Sequence, residues 1–200
     1  MNFVTLKIQL LRTDISRTIV VPEDWSIEKL STAIQAAFGW EGFHLWSFQD
    51  ETGQEIGLPD MLADDFSAVV ARKPKSARRA KVRDYFPKKG AKLDYEYDFG
   101  DGWLHRVTRM VDSKISEVAC VKTTGVMGIE DIGGPGRLNA LLKALREFEA
   151  NPEKELEEWL KEVFDWAGCD NAENRHAILE EPAPVRITEL IRNAVTHRAL

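Results

Sequence analysis

A chain of 200 residues, 44% apolar and 30% charged with a net charge of −6, can bury a substantial core as one large domain or two small ones, which excludes collagen, coiled coil and wholesale disorder. Its apolar stretches fall well short of the roughly 20 residues of a membrane span, and no basic region followed by an apolar run opens the sequence; a cytoplasmic protein without membrane contact is expected. The two cysteines, Cys120 and Cys169, make no disulfide framework and fit reduced thiols.

Val4, Leu6, Ile8 and Leu10 alternate with Thr5, Lys7 and Gln9, and residues 17–21 follow at hairpin distance, so both segments read as strands. Ser26 is placed to cap a helix with Ile27, Leu30, Ile34, Ala37 and Phe38 on one face and Gly39 at its end. Residues 44–48 read as a short aromatic strand, followed by a turn over 51–53. No steady period runs through 57–80, which with Pro59 and Pro74 reads as a long irregular insertion carrying one short helix or strand.

Leu93, Tyr95, Tyr97 and Phe99 share one strand face, with Asp94, Glu96 and Asp98 on the other. Gly100-Asp101-Gly102 then supplies turn chemistry before a returning strand over 103–111. A short stretch at 115–121 precedes the glycine-rich 125–136, which leads into a helix with Leu138, Leu141, Leu142, Leu145 and Phe148 on one side. Asn151 is placed to cap the next helix, with Pro152 at its first position, Glu153 and Glu155 near its positive end, and Leu156, Trp159, Leu160 and Val163 as its apolar face. From 170 the pattern is weakly helical, broken by Pro182 and Pro184. The expected fold is α+β, a mixed or antiparallel sheet beginning strand-strand-helix-strand, with a central hairpin and a helical C-terminal third. One domain spans 1–180, sheet-rich over 1–121 and helical over 136–180; residues 181–200 are a terminal helix or loose tail.

Charge is segregated. Between Ala71 and Lys92 ten lysines or arginines stand against the single acid Asp84, whereas Leu141 to Glu181 holds twelve acids and five bases. Arg78, Arg79, Lys81, Lys88 and Lys89 are therefore the candidates for phosphate contact with nucleic acid. The plainer reading is a solvated connection between strands, facing acidic surface of this chain or of a neighbour.

A polar group surrounds the hairpin: Asp98, Asp101 and His105 about the turn, Glu130 and Asp131 before the glycine-rich helix start, and His44 upstream. These residue types suit acid-base work or a divalent ion, the candidate metal ligands being His44, Asp98, His105 and Glu130. Register decides which of them meet. A two-residue Asp101-Gly102 loop sets Asp98 opposite His105, whereas a three-residue loop moves His105 to the side of Tyr97 and aligns Trp103, His105 and Val107 with the aromatic face, the better core. In structural terms Asp101 is a turn former, the histidines are hydrogen-bonded core residues, and Glu130 and Asp131 bond backbone N–H groups of the Gly133-Gly134 turn. Gly133, Gly134 and Arg137 also outline an anion site at a helix start, without the lysine and Ser/Thr of a P-loop.

Residues 36–40 (Ala-Ala-Phe-Gly-Trp), His44-Leu45, residues 95–105 (Tyr-Glu-Tyr-Asp-Phe-Gly-Asp-Gly-Trp-Leu-His), residues 130–136 (Glu-Asp-Ile-Gly-Gly-Pro-Gly) and Phe164-Asp165 resemble the plasmid pRiA4b Orf-3-like family over about residues 3–180. The resemblance implies an α+β protein of bacterial chromosomes, plasmids and mobile elements, and it brings no activity with it. Members of the family commonly place a Cys-Pro-Pro before the Glu-Asp pair; here Cys120 matches an upstream cysteine, but Met127-Gly128-Ile129 stands in place of Cys-Pro-Pro. A thiol pair for metal or redox work is absent. The expected function is a non-catalytic binding or interaction module, with a protein partner or its own copy, and no cofactor unless a divalent metal. Two alternatives remain: a metal-dependent hydrolase using Asp98, Asp101, His105, Glu130 and Asp131, and a nucleic-acid-associated accessory protein of mobile elements.

Overall fold

Every second residue of β1 (Phe3–Leu10) is apolar, and Val4, Leu6, Ile8 and Leu10 are fully buried, so this strand can only be central. The computed structural model describes residues 2–58, 73–151, 157–166 and 172–197. It places β1 between β2 (Ser16–Pro22) and β7 (Trp103–Arg109) in an eight-stranded sheet of order β5–β4–β3–β6–β7–β1–β2–β8. The remaining strands are β3 (Trp46–Gln49), β4 (Glu55–Gly57), β5 (Lys75–Ser76), β6 (Lys92–Tyr97) and β8 (Ala119–Thr124). All neighbours pair antiparallel except β4 with β5, which makes the sheet mixed. With the helices this is the α+β architecture expected.

Ser26 Oγ accepts from Lys29 N at 3.1 Å to cap α1 (Ile27–Phe38), and Gly39 closes it in the left-handed conformation at φ 89°. The apolar face of α1 lies on the sheet, where Ser31 Oγ and Gln35 Nε2 meet the hydroxyl of Tyr95 at 2.9 and 3.1 Å. The last helix, α6 (Pro184–His197), buries Ile187, Ile191 and Val195 against α1 and β8, and Thr188 Oγ1 accepts from Cys120 N at 2.8 Å. Between them run α2 (Val82–Tyr85), α3 (Gly134–Ala150), α4 (Glu158–Trp166) and α5 (Ala172–Leu179). Asn151 ends α3; the proposed helix start at 152–156 lies outside the described residues, as do Pro59 and Cys169.

Two expectations change. First, the segment after Gly57 is not a free connection in its described part. Ala80 O and Ala77 O accept from Ile27 N and Glu28 N, and Val82 N and Arg83 N donate to Trp25 O and Glu23 O. The basic segment is thus stitched by its backbone to the start of α1, with Ala77, Val82 and Phe86 in the core. The short stretch after the hairpin pairs with β2 as β8, and so forms the far edge of the sheet. Second, the hairpin loop is longer than either register considered. Tyr97 pairs with Trp103 and Tyr95 with His105, leaving residues 98–102 as a five-residue loop. The reason is Asp98: at φ 54° it leaves the strand, and its main-chain carbonyl accepts from Gly102 N at 2.7 Å. The facing of the longer alternative survives, since Trp103, His105 and Val107 are buried with the aromatic side of β6.

Arg17 is wholly buried, and its guanidinium donates to the carbonyls of Ala37, Ser16, Thr124 and Val126 at 2.6–3.1 Å while lying 5.3 Å from the centre of the Phe38 ring. Burial lowers its pKa to about 10, so it remains a cation at neutral pH, solvated by peptide oxygens. It fixes residues 124–126 at the end of α1. Just beyond, Gly128 N donates to Phe38 O at 2.7 Å, and a Cβ at Gly128 would stand 2.3 Å from Trp40 Cη2. Replacement Gly128→Ala is expected to destabilise the protein by about 1–3 kcal/mol through forced repacking, read as a lower urea midpoint with unchanged slope.

Candidate functional site

The loop closing β6 and β7 is built around two aspartates. Asp98 Oδ1 accepts from Gly100 N (2.9 Å) and Asp101 N (3.3 Å), while Asp101 Oδ2 accepts from Gly133 N (2.9 Å) and Gly134 N (3.1 Å). The second pair clamps the hairpin to the start of α3. A Cβ on Gly134 would lie 2.4 Å from Asp101 O, and both glycines have positive φ, at 91° and 85°; only glycine permits this approach.

The clamp brings Glu130 and Asp131 beside the hairpin and beside the segment leaving α1. Glu130 Oε1 accepts from the Tyr97 hydroxyl at 2.6 Å and its Oε2 from Glu41 N at 2.9 Å. Tyr97 in turn accepts from Gly42 N at 3.0 Å. Burial, then the neighbouring Glu130 carboxylate, raises the Tyr97 pKa well above its ordinary value, which keeps it a hydrogen-bond donor.

His44 Nε2 lies 3.0 Å from Asp131 Oδ1, 3.4 Å from Glu130 Oε1 and 3.8 Å from Asp98 Oδ2. Three carboxylates therefore face one imidazole nitrogen. Among the described residues no lysine or arginine forms an ion pair with any of the three. Side-chain exposure is 31% for His44, 12% for Asp98 and Glu130, and 63% for Asp131, so the group opens to solvent on the Asp131 side. Phe43 and Phe99, next in sequence to His44 and Asp98, are exposed.

Of the residues singled out in the sequence, the structure thus assembles His44, Asp98, Glu130 and Asp131. It sets His105 apart. This imidazole is completely buried against Phe38, Trp40 and Tyr95, and Trp40 Nε1 donates to its Nε2 at 3.4 Å. The neutral ring then carries its proton on Nδ1, which makes no hydrogen bond. Burial lowers its pKa to about 4, with the carbonyls of Tyr95 and Trp103 opposing the shift without overcoming it. His105 is a core residue, because on the aromatic face of β7 it meets rings and not carboxylates.

Asp101 takes the N–H groups that Glu130 and Asp131 were expected to bond, and it fills with this chain's own carboxylate the anion position outlined by Gly133 and Gly134. Arg137 lies over the Trp159 ring, 5.9 Å from its centre. Of the basic candidates, Arg78 pairs with Glu28 at 3.2 Å and Lys81 leads α2, while Arg79, Lys88 and Lys89 are exposed. Tyr97, which orients Glu130, was not foreseen, since its place on an alternating aromatic strand marks it only as core.

The model of the plasmid pRiA4b ORF-3-like proteins matches residues 2–173. The chain belongs to this family. It is 32% identical over 183 residues, covering 88% of this chain and 86% of the other, to the uncharacterised protein y4hQ of Sinorhizobium fredii (strain NBRC 101917 / NGR234). A crystal structure of MM3350, a protein of unknown function from Methanosarcina mazei Go1, superposes with a TM-score of 0.68 at 25% identity, over 92% of this chain and 95% of that one. These relatives carry no assigned activity. No described helix is long and apolar enough to cross a membrane.

Two outcomes follow from the geometry. Asp101→Ala removes the partner of two N–H groups and is expected to cost about 1–3 kcal/mol, while Asp101→Asn, which keeps an acceptor oxygen, should recover a large part of it in the same urea titration. For His105 the folded pKa of about 4 lies below the unfolded value near 6.5, so the unfolded chain binds the extra proton. This contribution to stability is complete above about pH 6.5 and is lost as pH falls toward 4. Urea midpoints measured at pH 7 and pH 5 should fall more for the wild type than for His105→Phe.

Proposed function

We propose that the protein is a non-catalytic binding module that receives a cationic ligand at the loop end of the β6–β7 hairpin. The observation that supports this reading is the convergence of Asp98, Glu130 and Asp131 on His44 Nε2, within 3.0–3.8 Å, from two segments distant in sequence from His44 and from each other. Asp98 and Glu130 are held by backbone N–H groups or by a phenol, so the anionic groups are positioned before a ligand arrives. The hydrolase alternative would draw on His105 and Asp101, and these are engaged in the core and in the helix clamp respectively. Phe43 and Phe99 offer an organic cation an aromatic border.

Titration of 15N-labelled protein with three cations, Zn2+, guanidinium and a tetralysine peptide, tests the reading by chemical-shift mapping. At least one is expected to move the amides of residues 41–44, 98–101 and 130–134 in a saturable way. Shifts confined to other regions, or none with any of the three, would reject it.

A further inference from the structure

We infer that the basic segment over residues 79–92 is a binding surface for the phosphate backbone of a nucleic acid, separate from the cation receptor and independent of it. The first observation is where the chain carries this segment. Ile27 N and Glu28 N donate to Ala80 O and Ala77 O, Val82 N and Arg83 N to Trp25 O and Glu23 O, and Gly90 N to Arg109 O. The segment therefore crosses the end of the sheet at which β2 and β7 finish and β1 and β6 begin. The loop bearing Asp98 closes the other end of β6 (Lys92–Tyr97), about 17 Å away at roughly 3.3 Å per residue.

The second observation is that the cations here are unpaired. Arg79, Arg83, Lys88, Lys89 and Lys92 are exposed, and among the described residues none of the five forms an ion pair. Arg106, Arg109 and Arg192, by contrast, each meet an acid at 2.6–2.9 Å. Acids close to the segment in sequence or through its backbone bonds are engaged elsewhere: Asp84 Oδ2 accepts from Lys81 N at 3.1 Å, Glu28 from Arg78 and Glu23 from Asn2. The concentration of positive charge is thus a local property, in a chain whose net charge is −6.

These features select the partner. Cations spread from residue 79 to residue 92 along a backbone that is already fixed address a row of phosphates rather than one, and they do so without the cost of ordering a loop. The helix within the segment, α2, is four residues long, too short to read bases from a major groove, so contacts fall on the backbone and carry no sequence preference. An anionic bilayer is the rival surface, since Met110 and Val111 are exposed just past β7. Against it, the segment itself sends Val82 and Phe86 into the core and so has no apolar side of the kind an interfacial helix inserts.

The test measures fluorescence anisotropy of short labelled duplex DNA, single-stranded DNA and RNA against the full-length protein. At least one is expected to bind saturably at low salt. With four phosphates neutralised, affinity should fall about 100-fold between about 50 mM and 200 mM salt. The double variants Lys88→Gln/Lys89→Gln and Arg79→Gln/Arg83→Gln should each weaken binding at least tenfold and flatten the salt dependence, with circular dichroism and the urea midpoint verifying that each is folded. Lys122→Gln, exposed on β8 at the far edge of the sheet, should bind as the wild type does. Absence of binding by all three nucleic acids at low salt, or binding that both double variants leave unchanged, overturns the inference. Cosedimentation with phosphatidylserine vesicles in preference to every nucleic acid would assign the surface to a bilayer and overturn it equally.

Discussion

The constraint on which this structure turns is the pair of hydrogen bonds from Gly133 N and Gly134 N to Asp101 Oδ2. A helix start is a concentration of unpaired N–H groups with a partial positive charge, and a carboxylate from another element meets both needs at once. Here that carboxylate comes from a hairpin loop 32 residues earlier. Its closeness requires glycine at 134, where any side chain would strike Asp101 O. The loop, the helix start and the intervening glycine-rich segment therefore hold one another, and Glu130 and Asp131 are carried beside Asp98 as a consequence.

A second set of polar contacts secures the same end of the molecule from within. Arg17 spends its donors on carbonyls of α1, β2 and the chain leaving β8. Residues 124–128 are thereby tied to the C-terminal end of α1, from which the His44 segment departs. Trp40 lies between the two, stacked on Tyr97, tilted against Trp103 and donating to His105. The aromatic core thus runs directly beneath Tyr97, whose hydroxyl emerges at Glu130. Apolar packing fixes where that hydroxyl stands, and the hydroxyl fixes the carboxylate.

Much of this was legible in the residues and some of it was not, for identifiable reasons. Alternation in β1 and β6, and the Ser26 and Gly39 caps of α1, follow from local chemistry, so the sheet beginning and the first helix match the expectation. The hairpin loop was misjudged because alternation counts Asp98 as a strand residue, whereas its side chain bonds the loop N–H groups and its backbone turns left-handed. Charge patterning concealed the backbone stitching of the basic segment, since hydrogen bonds through Ala77 and Ala80 leave no trace in side-chain type. His44, Asp98, Glu130 and Asp131 were identifiable by type. Their meeting was not, because it depends on a clamp between distant segments, and His105 was grouped with them only through nearness in sequence.

The electrostatics of the cluster separate it from the other polar contacts in the fold. Two carboxylates about 4 Å apart repel by about 1 kcal/mol in water and about 4 kcal/mol at the effective dielectric of a protein surface. Elsewhere in the described structure acids are offset locally: Asp94 by Arg106, Asp112 by Arg109, Glu28 by Arg78. At His44 three carboxylates lie around one imidazole nitrogen, the nearest of them Asp131 at 3.0 Å. Like charges gathered at one place work against the hydrogen bonds that hold the loop, glutamate and helix start together. A bound positive charge would reverse the sign of that balance, turning the crowding of the three acids from a cost of folding into a source of affinity.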